Sequence, residues 1–337
     1  MLVIGNLTQD DFCERLTEEL TVLNDEPVDF FPIEENKFPD GEFKLRLTGG
    51  YLPDSNEFVE PDELIKRMRS GEKITFVSRG TASENWDPQG LFVRTLFSLG
   101  ALKTYGAHQD NICAVLPYYF FSRQHEVYRE GEAHSAKTVR KAIKDELAGM
   151  LITVSAHNFR NEGEMDNRVW NMDATDSVMA YAQTLPLGNE RYIVTPDSGQ
   201  YSGKLRFPLA EALEAGTIAF GKERNRATGE IDVDVRNLEG LEHPEDVDIF
   251  MYDDELSTGG TLREDIDRCI RHGIDPKRIH TLAVHNKNAF NKKYGKNGAE
   301  LVTETGAGFS ASDTIYSGFA KFSVVPQLAE YIKRRFW

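Results

Sequence analysis

The sequence predicts an α/β protein built from two doubly wound domains with mainly parallel sheets. Short β-branched runs alternate with segments of helical periodicity, which is the pattern of β-α-β units. A chain of 337 residues with 40% hydrophobic content can bury more than one core. The runs fall into two sets, separated by the polar segment "NFRNEGEMDN" at residues 158–167. Two domains are therefore the simplest arrangement.

The predicted strands are the β-branched runs in chain order. They lie at residues 74–78, 112–116, 151–155, 192–195, 217–220, 247–252 and 279–284. Helical periodicity marks residues 135–147 and 261–273, and Gly273 is the predicted stop of the second helix. We expect a first domain over residues 1–165 and a second over 166–325. An amphipathic helix at 326–337 is expected to return to the first domain.

Charge and composition exclude several classes of protein. The formal net charge of −16 argues against general affinity for nucleic acid or an anionic membrane, since both attract basic surfaces. No segment approaches the ~20 apolar residues that span a bilayer, and the N-terminus lacks a basic leader. The three cysteines are far apart, which indicates neither a disulfide framework nor a thiolate zinc site. We therefore expect a soluble, cytoplasmic protein.

The segment "YDDELSTGGTL" at residues 252–262 is the first candidate site. A strand would deliver Asp253 and Asp254 to the carboxyl edge of its sheet, and these acids suit a cis-diol or a metal. The turn that follows would offer backbone N–H groups and a helix N-terminus to a phosphate, with glycines that allow a close approach. The turn residues are Ser257, Thr258, Gly259, Gly260 and Thr261. A sugar phosphate fits both halves.

A plain structural interpretation of this segment stays open at this point. It would be a strand-to-helix turn with Thr261 as N-cap and two solvated acids. The segment lacks the Gly-Lys-Ser/Thr ending of a nucleotide P-loop, which excludes that motif.

The same segment resembles the ribose-phosphate loop of phosphoribosyltransferases and of ribose-phosphate pyrophosphokinases. Further segments favour the pyrophosphokinases, because they resemble that family's motifs in the family's order. They are "NKFPDGEFKLRL" (36–47), "LPYYFFSRQHEVYREGEAHSAKTV" (116–139), "SAHN" (155–158), "TPDSGQ" (195–200), "GKERNR" (221–226) and "SDTI" (312–315). The resemblance implies the type I phosphoribosyltransferase fold in both domains. It also implies transfer of the diphosphoryl group of ATP to the 1-hydroxyl of ribose 5-phosphate.

The resemblance implies a role for each matching residue. ATP would be bound by Phe38, Asp40, Glu42, Arg123, Gln124 and His157. Ribose 5-phosphate would be bound by Asp197, Asp253, Asp254 and the turn from Ser257 to Thr261. The cofactor would be Mg²⁺, positioned by His157 and Asp197. Lys222 and Arg224 would be catalytic, because they would face the negative charge that develops in the transition state.

The family's ATP site is completed by a neighbouring subunit, so the resemblance also implies a homo-oligomer, either a dimer or a hexamer. Taken singly, the matching residues have ordinary explanations: His157 as a strand-end histidine, Arg123 and Gln124 as a solvated pair at a helix entrance, and "GKERNR" as a basic surface hairpin.

The sequence departs from the family's pattern at three places. Residues 125–134 are acidic, with Arg129 as the one basic residue, where the family carries several Lys and Arg. Ser155 replaces an acid two positions before the predicted metal-binding histidine, and Gln200 replaces a glycine. Two alternatives therefore stay open: a phosphoribosyltransferase, and a non-catalytic regulatory paralogue of the synthetase.

Overall fold

The computed structural model describes most of the chain. Residues 7–10, 52–57, 128, 158–161, 187, 189, 196–202, 220, 225–230, 235–237 and 239–240 lie outside the described part, and the side chains at 50–51, 58, 195, 203–207, 219, 221–224 and 231–234 do as well. The chain divides into two compact units by packing. The first comprises Met1–Thr81, Asp87–Asp173 and Val324–Trp337, and the second comprises Ala82–Trp86 and Ala174–Ser323.

The strands of the first unit are β1 (Leu2–Asn6), β2 (Asp29–Lys37), β3 (Phe43–Leu47), β4 (Gly50–Tyr51), β5 (Phe58–Val59), β6 (Ile74–Val77), β7 (Ile112–Leu116), β8 (Met150–Val154), β9 (Gly163–Asp166) and β10 (Val169–Met172). Those of the second unit are β11 (Glu190–Thr195), β12 (Gly216–Ala219), β13 (Gly221–Arg224), β14 (Ile231–Asp234), β15 (Val247–Leu256), β16 (Ile279–Asn286), β17 (Phe290–Asn291), β18 (Lys296–Asn297), β19 (Gly308–Ser312) and β20 (Ala320–Phe322).

The α-helices of the described chain are α1 (Phe12–Asn24), α2 (Pro61–Arg69), α3 (Pro88–Thr104), α4 (Ser135–Arg140), α5 (Thr175–Ala182), α6 (Gly203–Ala212), α7 (Gly260–Arg271), α8 (Gly298–Thr303) and α9 (Val325–Phe336). The segment predicted as one helix at 135–147 forms α4 and then a π-helical turn over Lys141–Asp145. None of the helices in the described ranges is long and apolar enough to cross a membrane.

The first unit is built on a sheet with the order β3-β2-β1-β6-β7-β8-β10-β9. The six inner strands are parallel to one another, and β3 and β9 pair antiparallel at the edges. Leu2, Val3 and Ile4 of β1 are fully buried, as expected for a strand with neighbours on both sides and both faces covered. The sheet extends through Met172, so β9 crosses the boundary expected at 165 and β10 lies beyond it.

The C-terminal helix α9 lies in the first unit and packs against α1. The Tyr331 hydroxyl donates to the carbonyl of Asn171 at 3.1 Å, and Gln327 Nε2 donates to the carbonyl of Asp173 at 2.7 Å. These bonds attach the end of the chain to the strand that precedes its exit into the second unit.

The second unit contains a parallel sheet with the order β12-β11-β15-β16-β19-β20. The first five residues of β15, "VDIFM", are buried because this strand lies inside the sheet. The predicted α/β class with doubly wound, mainly parallel sheets is confirmed. In a parallel sheet, the carboxyl ends of all strands meet at one edge, where ligands usually bind.

Candidate functional site

The two predicted sugar-binding acids lie within a strand rather than after it. β15 continues to Leu256, so the predicted strand end at residue 252 is wrong. The reason is that β16 also continues, to Asn286, and the parallel ladder includes the pair Asp253 and Ala283. Asp253 is exposed and Asp254 is half-buried. Both carboxylates are therefore held on regular backbone near the carboxyl end of β15.

Glu255, the next residue of β15, is an acid of a different kind. Its side chain is buried and forms an ion pair with Lys287, which follows β16, at 3.0 Å between Oε1 and Nζ. The residues are only 2% and 6% exposed. A buried carboxylate requires such a partner, because the interior solvates charge poorly. The positive charge of Lys287 therefore balances the negative charge of Glu255, the third of three consecutive acids.

The turn from Ser257 to Thr261, called the 257–261 turn below, depends on Gly259. This residue has a φ of +71° and is the N-cap of α7, so the predicted N-cap at Thr261 is wrong. A Cβ atom on Gly259 would lie 2.5 Å from the carbonyl oxygen of Gly298, and one on Gly298 would lie 2.3 Å from that of Ser257. The turn thus packs backbone against backbone, which only glycine permits.

Four consecutive carbonyl groups, from Leu256 to Gly259, accept hydrogen bonds from the protein, so they do not point at a ligand in the turn. Residues 287–298, called the 287–298 segment below, run alongside the turn and supply three of the donors, and α7 supplies the fourth. The four bonds are Lys287 N to Leu256 O (2.9 Å), Ala289 N to Ser257 O (3.1 Å), Asn291 Nδ2 to Thr258 O (3.0 Å) and Arg263 N to Gly259 O (2.9 Å). The first N–H groups of a helix have no acceptor inside it. Bound carbonyls and helix-end N–H groups together favour an anion at the turn.

The other predicted residues of the second unit come after β11 and β12, which belong to the same sheet as β15. Lys222 and Arg224 lie on β13, paired with Val233 and Ile231, but their side chains are outside the described part. Asp197 lies outside the described residues altogether, two positions after the end of β11, which is the neighbour of β15. The roles of all three stay predictions.

The "SDTI" segment is buried at the end of β19. Ser312 and Thr314 are fully buried, and their hydroxyl groups donate to the carbonyl of Val284 at 2.6 and 2.9 Å. The ring of His285 lies 2.9 Å from the Thr314 hydroxyl. These side chains join β19 to β16 and support the sheet from within.

In the first unit, Arg123 and Gln124 end a turn that follows β7. Phe121 has a φ of +64°, and its carbonyl accepts the Gln124 N–H at 2.9 Å. The Gln124 side chain accepts the Ser135 hydroxyl at 2.6 Å, which ties it to the first residue of α4. Arg123 is exposed. The pair therefore lies at the entrance of α4, where the Gln124 side chain is bonded to Ser135.

His157 follows β8, the strand next to β7. Ser155 precedes it with a φ of +39°, and its N–H donates to Met172 O at 2.7 Å. The N–H of Ala156 donates to Asn171 Oδ1 at 2.8 Å. The half-buried His157 and the Arg123–Gln124 pair thus lie in the segments that follow two adjacent strands, β8 and β7.

The third predicted ATP segment lies elsewhere on this sheet. Phe38, Asp40 and Glu42 form the tip of the β2–β3 hairpin, where Phe38 N donates to Glu42 O at 2.8 Å and Glu42 N to Asp40 Oδ1 at 3.0 Å. The Phe38 side chain is 46% exposed. β1 and β6 separate β2 from β7, which is about 14 Å at the usual strand spacing. The strand that leads into the hairpin is therefore separated from β7 and β8 by two further strands of the sheet.

Comparison with known proteins relates the chain to one enzyme family. It is 28% identical to the ribose-phosphate pyrophosphokinase of Sulfurisphaera tokodaii, covering 90% of this chain and 92% of that protein. It is 27% identical to the ribose-phosphate pyrophosphokinase of Sulfolobus acidocaldarius, covering 99% and 100%, and to that of Thermoplasma volcanium, covering 99% of each. The chain is a homologue of the ribose-phosphate pyrophosphokinases. No model of a known protein family matches it.

A solved structure supports the fold of this pyrophosphokinase homologue. The phosphoribosylpyrophosphate synthetase of Mycobacterium smegmatis superposes with a TM-score of 0.72 at 20% identity, covering 98% of this chain and 97% of that one. This superposition confirms the predicted α/β fold class, while the predicted resemblance to the pyrophosphokinases is confirmed by the relatives above. The roles of individual residues stay predictions.

Sequence reasoning missed the residues of the pyrophosphokinase homologue that hold its 257–261 turn. These are Glu255, Lys287, Asn291 and Gly298. One signal was present: the apolar run of β16 ends in the polar cluster "HNKN", just as the apolar run of β15 ends in "DDE". Within the described part of the chain, no group of three or more His, Cys, Asp and Glu side chains could hold a metal ion.

Proposed function

We propose that this homologue is a ribose-phosphate pyrophosphokinase. The oxygen of the ribose 1-hydroxyl attacks the β-phosphorus of ATP, the bond between the α–β bridging oxygen and that phosphorus breaks, and AMP leaves. The products are phosphoribosyl pyrophosphate and AMP, and the hydroxyl proton passes to solvent. The observation that carries the proposal is the 257–261 turn, whose carbonyls are bonded elsewhere, next to two accessible carboxylates. The names of relatives that match the chain over nearly its whole length support the same activity.

The acceptor sugar would bind along the end of β15. Asp253 and Asp254 would accept hydrogen bonds from the ribose cis-diol, because carboxylates accept and cannot bind phosphate. The 5-phosphate would take the N–H groups of the 257–261 turn and the positive end of α7. Asp197, which follows the neighbouring strand β11, would lie beside the diol.

ATP would bind to residues from two subunits. Arg123, Gln124 and His157 would hold the nucleotide in one subunit, while Phe38, Asp40 and Glu42 would reach it from a neighbour. The separation of β2 from β7 and β8, and the exposure of Phe38, favour this shared arrangement. We therefore propose a homo-oligomer, a dimer or a hexamer, that works in the cytoplasm.

The predicted donors are of the kind that would bind Mg²⁺ together with substrate. Mg²⁺ usually takes one or two carboxylates and the oxygens of substrate phosphates, without a closed protein cage. Asp197 would supply such a carboxylate, with His157 near the nucleotide. When bound, the ion neutralises charge on the phosphates. Lys222 and Arg224 would add fixed positive charge where negative charge develops, which typically supplies a large part of catalysis.

The activity is tested by incubating the protein with ATP, Mg²⁺ and ribose 5-phosphate and measuring AMP. We expect AMP that depends on the sugar phosphate. Asp253→Asn should raise the KM for ribose 5-phosphate about tenfold or more, because a lost hydrogen bond to a charged group costs about that much. The absence of sugar-dependent AMP from the unchanged protein would contradict the proposal.

One observation favours a second function, that of a regulatory paralogue without turnover. The three glutamates of the 125–134 loop, Glu126, Glu130 and Glu132, are exposed, and the Glu132 carboxylate accepts the N–H of Arg129 at 3.1 Å. Such a loop would repel ATP phosphates. This function predicts that calorimetry detects ATP binding while no AMP forms. A phosphoribosyltransferase would instead consume phosphoribosyl pyrophosphate when a nucleobase is added.

A further inference from the structure

We propose that Asn291 and the Glu255–Lys287 pair are positioning residues for ribose 5-phosphate. They do not reach the ligand themselves but fix the 257–261 turn that binds it. This inference rests on the proposed function of that turn. It assigns a role to the 287–298 segment, which contains none of the predicted site residues.

The contacts continue the pairing of β15 and β16 beyond the sheet. Inside the sheet, Glu255 pairs with His285 and Leu256 with Asn286. Beyond it, donors at 287, 289 and 291 reach the carbonyls at 256, 257 and 258 in the same order. The first residues of the 287–298 segment therefore run alongside the turn and fix the carbonyls of Leu256, Ser257 and Thr258.

Asn291 is the one side-chain donor in this series. It is 9% exposed, and Nδ2 donates to Thr258 O while Oδ1 accepts the N–H groups of Lys293 at 3.1 Å and Tyr294 at 3.4 Å. Both ends of the amide are thus used, and the side chain links β17 and its turn to the carbonyl before Gly259. Replacement of the donor by an acceptor would place two oxygens face to face and turn the Thr258 peptide.

The Glu255–Lys287 pair acts one step earlier in the chain. Lys287 contacts β15 twice, by its N–H to Leu256 O and by its Nζ to Glu255. An apolar pair could fill the same space, and such replacements of buried ion pairs are often neutral or stabilising. The ion pair and the backbone bond hold Lys287 against β15 at two points, which suits a role in alignment rather than in stability. The pair is also on the face of β15 that carries Asp253, since residues two apart on a strand share a face.

Two variants test the proposal. Asn291→Asp is nearly isosteric, but it replaces the donor by an acceptor and also adds a negative charge near the turn, so it is compared with a second variant that leaves the net charge unchanged. The double variant Glu255→Leu/Lys287→Met keeps net charge and burial, so it should remain folded. Lys293→Met is the control, because Lys293 lies on the same segment but bonds Glu264 of α7 at 2.9 Å rather than the turn.

We expect both test variants to raise the KM for ribose 5-phosphate about tenfold, the usual effect of one lost or misdirected hydrogen bond. The KM for ATP and the thermal midpoint of the double variant should stay close to those of the unchanged protein, as should every value for Lys293→Met. If Asn291→Asp does not fold, the double variant decides. An unchanged KM for ribose 5-phosphate, or an equal rise for both substrates, would overturn the proposal.

Calorimetry with ribose 5-phosphate separates this proposal from the proposed function. Sugar binding that weakens in the test variants, in a protein that makes no AMP, would retain the positioning role and reject the activity. AMP formation with an unchanged sugar dependence in the variants would do the reverse.

Discussion

Gly259 and Gly298 meet with no room for a side chain on either residue. Gly259→Ala would place a Cβ atom 2.5 Å from a carbonyl oxygen and impose a φ of +71° on alanine. We expect the KM for ribose 5-phosphate to rise by about a hundredfold, since displaced N–H groups no longer fit the anion, and a stability loss of about 2 kcal/mol. Steady-state kinetics and urea unfolding measure these two effects.

Gly295→Ala is the matched control for that substitution. Gly295 has a φ of +68°, but a Cβ atom there meets nothing within 4 Å. The control therefore carries the backbone strain without the collision. Similar sugar affinities in the two variants would show that strain alone, and not the contact with Gly298, governs the turn.

At the residue scale, the sequence predicts the side chains that face a ligand better than those that support them. Two acids and a Ser-Thr-Gly-Gly turn have a chemical meaning that is visible in a short segment. Glu255 is an acid like the two predicted ligands before it, but its side chain forms an ion pair with Lys287, which is distant in sequence. A short segment cannot distinguish a buried acid from an exposed one, because burial depends on the neighbouring strand.

Among the elements, the β2–β3 hairpin is attached to α3 by an ion pair. Arg94 donates to Glu35 through two hydrogen bonds at 2.5 and 2.9 Å and stacks over the Phe43 ring at 4.8 Å. The hydrogen bond from Arg94 lowers the pKa of Glu35 below its usual value. The base of the hairpin is therefore fixed, while its tip at Phe38 extends into solvent.

This pair predicts an effect of pH on stability. A lowered pKa means that the contribution of Glu35 is fully present above the unfolded pKa of about 4.3 and is lost as the pH falls through the folded pKa. Glu35→Gln should therefore cost about 1 kcal/mol at pH 7, and this cost should fall towards zero as acid protonates Glu35 in the folded protein. Urea unfolding from pH 7 into acid measures the difference. The neighbouring Glu34→Gln serves as control, and a Glu35 deficit that persists in acid would contradict the assignment.

The elements also show why some strands could be predicted and others not. The runs at 74–78 and 112–116 lie inside the sheet, and their apolar composition matches β6 and β7 almost residue for residue. β19, with the sequence "GFSAS", and the edge strand β3, with the sequence "FKLRL", lack a β-branched run. They form strands because a neighbouring ladder is available, and tertiary pairing of this kind outweighs local propensity.

At the scale of the whole molecule, a shared ATP site predicts complementation between inactive subunits. Phe38→Ala would damage the hairpin contribution, and Lys222→Ala the catalytic one. Co-expression of the two variants should restore roughly a quarter of full activity, because random pairing in a two-fold assembly recreates that share of intact sites. AMP assays on the separate and co-expressed proteins measure this. No gain on co-expression would place the whole site within one subunit.

The fold class could be predicted from periodicity and length. The position of the boundary between the two units could be predicted only to within several residues. The expected boundary at 165 follows a polar segment, but the first sheet continues through β10 to Met172. Polarity marks a surface loop equally well within a domain and between domains.

The return of α9 to the first unit has a consequence for synthesis. Apart from Ala82–Trp86, the second unit is inserted between Asp173 and Val324, and Gln327 bonds the carbonyl of the residue at which the chain leaves. On the ribosome, the inserted unit is therefore synthesised before the last helix of the unit that encloses it. A nascent chain stalled shortly before residue 325 would carry a first unit that still lacks the helix packed on α1.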